Sequence, residues 1–442
     1  MQQIISSFTV RLRQDLTFIL ALRVWQAGAG LVTTVLAVHY LTAELQGWYY
    51  SFLSVAALYT LFDLGLSTVL VQVAAHSFVG LRWASGNALE GSRQAHFRSL
   101  LAKSVRWYAI AALAFIALIL PGGWVFFASK TSTGMSWVSC WLVLSLLSAG
   151  GLLPLPFLSM VEGSGQIAQV YSVRLATSVL GSLTCWMTLA SGGGLWAVVM
   201  TPAMALCIPL VWLASFHRPL VAMARDMPNE DYRWSEEIWP LQWRLGINWL
   251  CGYLLTQINT PVLFHTQGAI VAGQFGLSLT VVNTIGLISQ SWLLRRVPGM
   301  AQAAASRDWR RLDQLFWRDF GVSLGVFAAG TTAVVGLVTR FAEYSAVHRL
   351  LPWPQLLGLF LFAFIGQFIG GLALHLRSFR REPLVWLSLF AALITVPASF
   401  YAARHYSSAG VIAVMAGVNI IVNLPAGVII WRRCNSLWRA TA

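Results

Sequence analysis

Arg23, Asp63 and Arg174 are charged side chains set inside long apolar runs of this chain. A charge near the centre of a bilayer costs about 2.5–3.5 kcal/mol or more, so each demands a partner or a task. Arginine offers a planar fork of N–H donors that matches the oxygens of a phosphate or pyrophosphate. Aspartate suits a coupling cation, or the positioning of an arginine. Arg23 comes six residues into its run and Arg174 seven, about 10 Å at 1.5 Å per residue. Asp63, counted from the other side of the membrane, falls at a similar depth. The pattern predicts Arg23 and Arg174 as a phosphate clamp. It predicts Asp63 as a coupling-ion site or as the ion-pair partner of Arg23. Snorkelling to the interface is the competing account of both arginines.

Further candidates lie in the second half. Arg244 stands at the start of an apolar run that holds Asn248 and Gln257. Carboxamides both donate and accept, so they suit sugar hydroxyls, although the same groups also join membrane helices to one another. Arg244, Asn248 and Gln257 therefore join Arg23 and Arg174 as candidate binding residues for a pyrophosphate and its sugars. The Arg295–Arg296 pair reads either as an interfacial anchor or as a basic vestibule. Most of the 21 Trp fall near run ends, as an interfacial belt requires. Other chemistries find no support. The His residues form no ligand cluster and the five Cys have no metal spacing, so no metal or cofactor is expected. No G-x-x-x-x-G-K-[ST] occurs, which argues against direct use of ATP. The joints between runs are too short for a catalytic domain, and the chain is not expected to be an enzyme.

Membrane helices must position these residues. The chain of 442 residues is 57% hydrophobic and 10% charged, with a mean hydropathy of +0.69. Apolar runs near 20 residues match the roughly 30 Å hydrocarbon core, and helix is the form that satisfies backbone groups there. The reading is an all-α polytopic membrane protein. About twelve transmembrane helices are expected near 17–40, 48–75, 102–127, 136–160, 167–190, 194–216, 241–263, 270–297, 318–339, 354–376, 383–402 and 409–431. The net charge of +14 does not signal nucleic acid, because the basic residues gather at alternate ends of the runs. Of the 29 Lys and Arg, only Lys130, Arg340, Arg349 and Arg404 fall on the sparse side, and Arg23 and Arg174 lie within runs. The positive-inside rule then sets both termini in the cytoplasm.

The joints add organisation. Residues 80–101 suit an amphipathic segment on the inner leaflet, or a solvated loop. Residues 226–237, DMPNEDYRWSEE, concentrate acid at the midpoint. They suggest an N-terminal six-helix half over 1–225 and a C-terminal half over 226–442. A shift of 226 residues lays HYLTAELQGWYYSFLSV (39–55) on HTQGAIVAGQFGLSLTV (265–281), with Ala43 on Ala269 and Gly47 on Gly273. Parallel halves of this kind enclose a central cavity in transporters.

The stretch 41–76, LTAELQGWYYSFLSVAALYTLFDLGLSTVLVQVAAH, resembles the first hairpin of polysaccharide-lipid (O-antigen, Wzx-type) flippases of the MOP transporter superfamily. The likeness rests on Glu44 and Gly47 in the joint, the aromatic start Trp48–Tyr50, and the run LFDLGLS from Leu61 to Ser67. Pro298 after the eighth helix is also similar. The resemblance implies a MATE-like fold of two six-helix halves around a cavity. It implies movement of an undecaprenyl-pyrophosphate-linked oligosaccharide from the inner to the outer leaflet of a bacterial inner membrane by alternating access. Its partners would be that lipid-linked oligosaccharide and membrane lipid, with a polysaccharide polymerase and glycosyltransferases nearby. A multidrug or organic-cation exporter of the same superfamily is one alternative, and would want carboxylates in its cavity. A membrane-embedded glycan polymerase or glycosyltransferase is another, and would want a large outer loop.

Overall fold

The computed structural model describes residues 2–84, 89–91, 94–129, 137–225, 233–379 and 383–441. The chain begins with helix α1 (Gln2–Tyr40), followed by α2 (Ala43–Ala56), α3 (Tyr59–Asp63) and α4 (Leu66–Ser77). A two-stranded hairpin, β1 (Leu81–Trp83) with β2 (Leu89–Gly91), leads to α5 (Gln94–Ala128), α6 (Trp137–Gly150), α7 (Leu155–Gly163), α8 (Ile167–Ala190) and α9 (Ala197–Phe216). Short helices α10 (Arg218–Arg225) and α11 (Trp234–Glu237) precede α12 (Trp239–Thr256), α13 (Asn259–Gln267), α14 (Ala269–Leu294) and α15 (Val297–Ala305). The chain closes with α16 (Trp309–Arg340), α17 (Trp353–Arg377), α18 (Val385–Val418) and, after a π turn, α19 (Leu424–Thr441). Among the described residues of 80–101, the chain forms a β-hairpin and the start of α5. Part of the acidic joint, 226–232, and Arg93, Lys130, Arg380 and Arg381 lie outside the described residues.

Among the described residues, ten helical stretches are long and apolar enough to cross a membrane. One of them, Val385–Arg439, runs 55 residues and holds two expected spans, parted where Ser407 leaves helical geometry at φ 57°, ψ −150°. The expected seventh span is divided into α12 and α13, so neither piece is a full-length apolar helix. Pro261 explains that division: its ring displaces the hydrogen bond that the Gln257 carbonyl would accept in a regular helix, and the chain turns at Gln257–Ile258. Pro154 acts in the same way on Gly150, where α6 stops. The molecule is a multi-pass, almost entirely helical membrane protein.

The chain packs as two compact units, residues 1–26 with 55–250, and 27–54 with 251–442. The units do not part at residue 225: Ala27–Ser54 pack with the later residues, and Trp234–Leu250 with the earlier. In the first unit, Leu66, Val69 and Leu70 of α4, Phe97, Leu101, Tyr108 and Phe115 of α5, and Met160 and Val161 of α7 form a fully buried core. In the second, Leu293, Met300, Leu312, Phe316, Phe320 and Leu372 bury one end of α14, α15, α16 and α17 against one another.

Within the second unit α2 and α14 meet through glycine. A Cβ on Gly273 would lie 2.8 Å from the Gly47 nitrogen and 3.0 Å from its Cα, and a Cβ on Gly47 would overlap the Ala269 carbonyl. One turn on, a Cβ on Gly276 would meet the Tyr50 Cβ at 2.5 Å. Gly47 with Gly273, and Tyr50 with Gly276, are the same residue pairs that a shift of 226 superposes. Equivalent residues touch each other, as they do where two related helices cross on an axis. Both helices carry Ala-x-x-x-Gly there, the small-residue spacing that lets membrane helices approach closely. Gln46 fastens the crossing, donating its amide to the carbonyls of Gly273 at 3.0 Å and Arg349 at 3.2 Å.

Candidate functional site

The second expected span is broken twice, and Asp63 sits at the second break. At the first, the Tyr253 hydroxyl donates to the Ser54 carbonyl at 3.0 Å, and the Leu58 amide turns to Val55 instead. A side chain inserted into the ladder in this way is a recognised cause of a kink. At the second, Leu64 and Gly65 both take left-handed backbone, φ 48° and 69°. Gly65 is needed there: any Cβ would be strained at that φ and would lie 2.7 Å from the Leu245 Cβ of α12. Asp63 then restarts the helix. Its carboxylate accepts from the Ser67 amide at 3.2 Å, from the Ser67 hydroxyl at 2.9 Å and from the buried Tyr108 hydroxyl. A carboxylate on the first free N–H groups of a helix both caps it and complements its dipole. The run Leu61–Ser67 therefore encodes a helix break with its own cap.

Asp63 and Arg23 form no ion pair. The expected partnership is corrected by the cap: Asp63 has its acceptors filled by Ser67 and Tyr108. Arg23 is exposed and has no hydrogen bond or ion pair among the described residues. Its direction follows from α1. Leu22 is buried, and Trp25 donates its indole N–H to the Ser182 hydroxyl of α8 at 3.0 Å, its ring 6.0 Å from that of Trp186. Asp15 accepts the Ala168 amide at the start of α8 at 2.9 Å. At about 100° per residue, Arg23 points well away from the Trp25 side chain that lies on α8.

Arg174 meets an acid. Its guanidinium lies 2.8 Å from Glu162 of α7 and 5.0 Å above the Tyr171 ring. The tight turn Ser164–Gln166, with Gly165 at φ +88°, folds α8 back so that the two charges meet. Arg174 and Glu162 are 33% and 14% exposed, so this is a half-sheltered pair, not a free cation. Arg174 therefore carries a carboxylate partner, whereas Arg23 has none among the described residues.

Arg244 is exposed on α12 and rests 5.5 Å over the Trp243 ring. Asn248, one turn on, is half-buried with no hydrogen bond among the described residues. Arg244 and Asn248 belong to the first unit; Gln257 belongs to the second. Gln257 occupies the break between α12 and α13, and its carbonyl oxygen accepts from the Ser54 hydroxyl at 3.4 Å. Asn259 beside it is fully buried, and its amide donates to the Leu255 and Thr256 carbonyls that the break leaves open. Tyr108, Ser67 and Glu162 were missed in the sequence. Among the described residues no cluster of His, Cys, Asp and Glu suits a metal ion.

No family model and no curated protein matches the chain. Solved structures do match it over nearly its whole length. An inward-facing multidrug resistance MATE family transporter of the MOP superfamily aligns over 98% of both chains, with a TM-score of 0.61 at 14% identity. The lipid II flippase MurJ, in an inward closed conformation, aligns over 94% of this chain and 87% of its own, with a TM-score of 0.63 at 11% identity. The MATE multidrug transporter DinF-BH aligns over 95% of each chain, with a TM-score of 0.62 at 12% identity. The chain has the fold of these transporters and flippases.

Proposed function

We propose that this chain is a MOP-superfamily flippase that moves an undecaprenyl-pyrophosphate-linked oligosaccharide from the inner to the outer leaflet of a bacterial inner membrane by alternating access. The fold is shared with a flippase for a lipid-linked substrate and with multidrug transporters, so the choice rests on charge. Three sheltered carboxylates of the spans are already engaged: Asp63 by Ser67 and Tyr108, Glu162 by Arg174, and Asp319 by Arg295 and Arg296. Arg23 is not engaged. An exporter of organic cations wants a free carboxylate, whereas a free guanidinium suits an anion. That contrast carries the reading.

Arg23 is the principal pyrophosphate ligand in this proposal, with Arg244 in support and Asn248 and Gln257 on the sugars. Arg174 contributes field and structure through Glu162. Asp63 holds the broken second span, and a coupling ion would act on it by competing with Tyr108 and Ser67. The two six-helix halves, 1–225 and 226–442, are the repeating pattern, with both termini cytoplasmic. A polymerase and glycosyltransferases would supply and consume the substrate. The test is complementation of a flippase-deficient strain, reading surface glycan against protein abundance. Arg23→Ala should abolish most glycan export, and Arg23→Lys should keep part of it, because lysine retains charge but loses the fork. Full export by Arg23→Ala at normal abundance overturns the phosphate role. Efflux of cationic dyes, unaffected by Arg23→Ala, would favour the multidrug alternative.

A further inference from the structure

A second cluster of charges lies in the second unit, on helices that carry none of the site residues described above. Arg295 and Arg296 close helix α14, and Asp319 of α16 lies between them. Asp319 is only 2% exposed, and each of its oxygens takes one arginine, Oδ1 from Arg295 at 2.8 Å and Oδ2 from Arg296 at 2.6 Å. The arginines themselves are 47% and 38% exposed. Each guanidinium has five N–H donors, and the bonds to Asp319 use one each. By hydrogen-bond geometry the two forks stand within roughly 8 Å of each other. Arg295 is held further by Trp292, its guanidinium 4.5 Å above the ring.

An interfacial anchor has no need of this arrangement. A lone arginine snorkels to the lipid phosphates without a protein carboxylate, and a buried aspartate cancels half the charge that anchoring would use. What Asp319 adds is geometry: two like-charged forks, whose repulsion would part them, are fixed side by side with most donors outward. The cluster keeps a net positive charge. On α14, Trp292 and Ile288 are exposed one and two turns, respectively, before the arginine pair that follows the helix. Residues four apart share a helix face. An apolar strip therefore runs up to a paired cationic head.

We propose that Arg295 and Arg296, positioned by Asp319, form a docking site for the pyrophosphate head of a polyprenyl lipid, with the chain laid along Ile288 and Trp292. This deepens the flippase reading and rests on it: the site would collect substrate from the leaflet before Arg23 engages it. The ligand is committed to a lipid, since free pyrophosphate would leave the apolar strip unused.

The experiment is binding to the purified full-length protein, by native mass spectrometry and by thermal shift. The probes are polyprenyl pyrophosphate, the matching polyprenol, a phosphate-diester phospholipid and inorganic pyrophosphate. Polyprenyl pyrophosphate should bind at least about tenfold more tightly than each of the other three. Arg295→Gln with Arg296→Gln should weaken it about tenfold or more, as expected for charge-assisted bonds, and the two Lys variants should fall between. Asp319→Asn separates fixed geometry from mere charge. It adds net positive charge, so a diffuse basic patch would bind more tightly, whereas a built site binds less tightly. If the double Gln variant is misfolded because Asp319 is left bare, the triple variant with Asp319→Asn removes that cause. Unchanged binding in the triple variant, or tighter binding in Asp319→Asn, overturns the proposal. So does equal affinity for inorganic pyrophosphate. Transport of a lipid-linked glycan by a variant that keeps normal export without these arginines would sink the docking site and leave the flippase reading standing. Failure of the unmodified protein to bind polyprenyl pyrophosphate at all would overturn both.

Discussion

Gly47→Ala tests the helix crossing on which the internal repeat rests. The added methyl would overlap the Ala269 carbonyl, a backbone atom that no rotamer change can move. Helices α2 and α14 must part by roughly an ångström to restore van der Waals contact. Overpacking of this kind costs about 1–3 kcal/mol. Parting also stretches both bonds from the Gln46 amide, 3.0 and 3.2 Å, at about 0.6 kcal/mol each within a membrane. The gain in helix propensity from Gly to Ala returns about 0.5–1 kcal/mol. The net expectation is a loss of about 1–4 kcal/mol. Gly28→Ala is the control, because a Cβ there meets nothing within 4 Å, and it should be neutral or slightly stabilising. Both are read as thermal unfolding of the detergent-purified protein, followed by loss of monodispersity. Gly47→Ala should melt several degrees below Gly28→Ala. Equal melting temperatures would show that α2 and α14 do not meet through these glycines, and the structural support for the repeat would fall with them.

Three further outcomes follow from the site geometry. Asp63→Ala should destabilise by about 1–3 kcal/mol through loss of a helix cap and an orphaned Tyr108 hydroxyl, and Asp63→Ala with Tyr108→Phe should cost less than the sum of the singles; additivity would break the link between them. Glu162→Gln should destabilise more than Glu162→Gln with Arg174→Gln together, since a half-buried cation without its partner is worse than no pair; a double-mutant cycle with no coupling energy refutes the pair. His217 is fully buried, its two ring nitrogens have no hydrogen-bond partner, and burial holds its pKa below the ordinary 6.5. The unfolded chain therefore binds the proton more readily, so stability is full above pH 6.5 and falls as pH drops from there toward the folded pKa, by at most about 1.4 kcal/mol per pH unit. Melting curves between about pH 7.5 and 5 should show this slope and lose it in His217→Gln.

The spans and the class of fold were legible because hydropathy reports one quantity that lipid enforces on every helix. What hydropathy averages over is where a helix breaks. The expected second span, 48–75, contains two turns, and neither has a proline. One comes from a distant hydroxyl, Tyr253, and one from the left-handed pair Leu64–Gly65. The sequence did carry a hint of the second, a glycine two residues after an aspartate and two before a serine, which is a cap placed at a break. Reading the span as continuous hid it, and so turned Asp63 into a candidate for pairing with Arg23. Glu162 was missed for a different reason. The expected fourth span stopped at 160, which put Glu162 in a joint and left Arg174 without a visible partner. An error of two or three residues at a boundary is ordinary, but here it decided whether a charge was free.

Charge inside a span is a demand, not a function, and this chain meets the demand in three ways. Arg174 is neutralised by a carboxylate across a tight turn. Asp63 is satisfied by neutral donors and a helix start, with no cation at all. Arg295 and Arg296 are gathered by one buried carboxylate that serves two, which leaves a net charge facing outward. Arg23 stands apart from these, with no protein partner among the described residues. The sequence ranks Arg23, Asp63 and Arg174 alike, because residue type and depth are the same measure for each. The structure separates them by what already occupies their hydrogen-bonding capacity. A group whose capacity is full shapes the fold; a group whose capacity is open at a fixed position is where a ligand lowers the free energy most. That criterion is why the proposals above rest on Arg23 and on the Arg295–Arg296 pair.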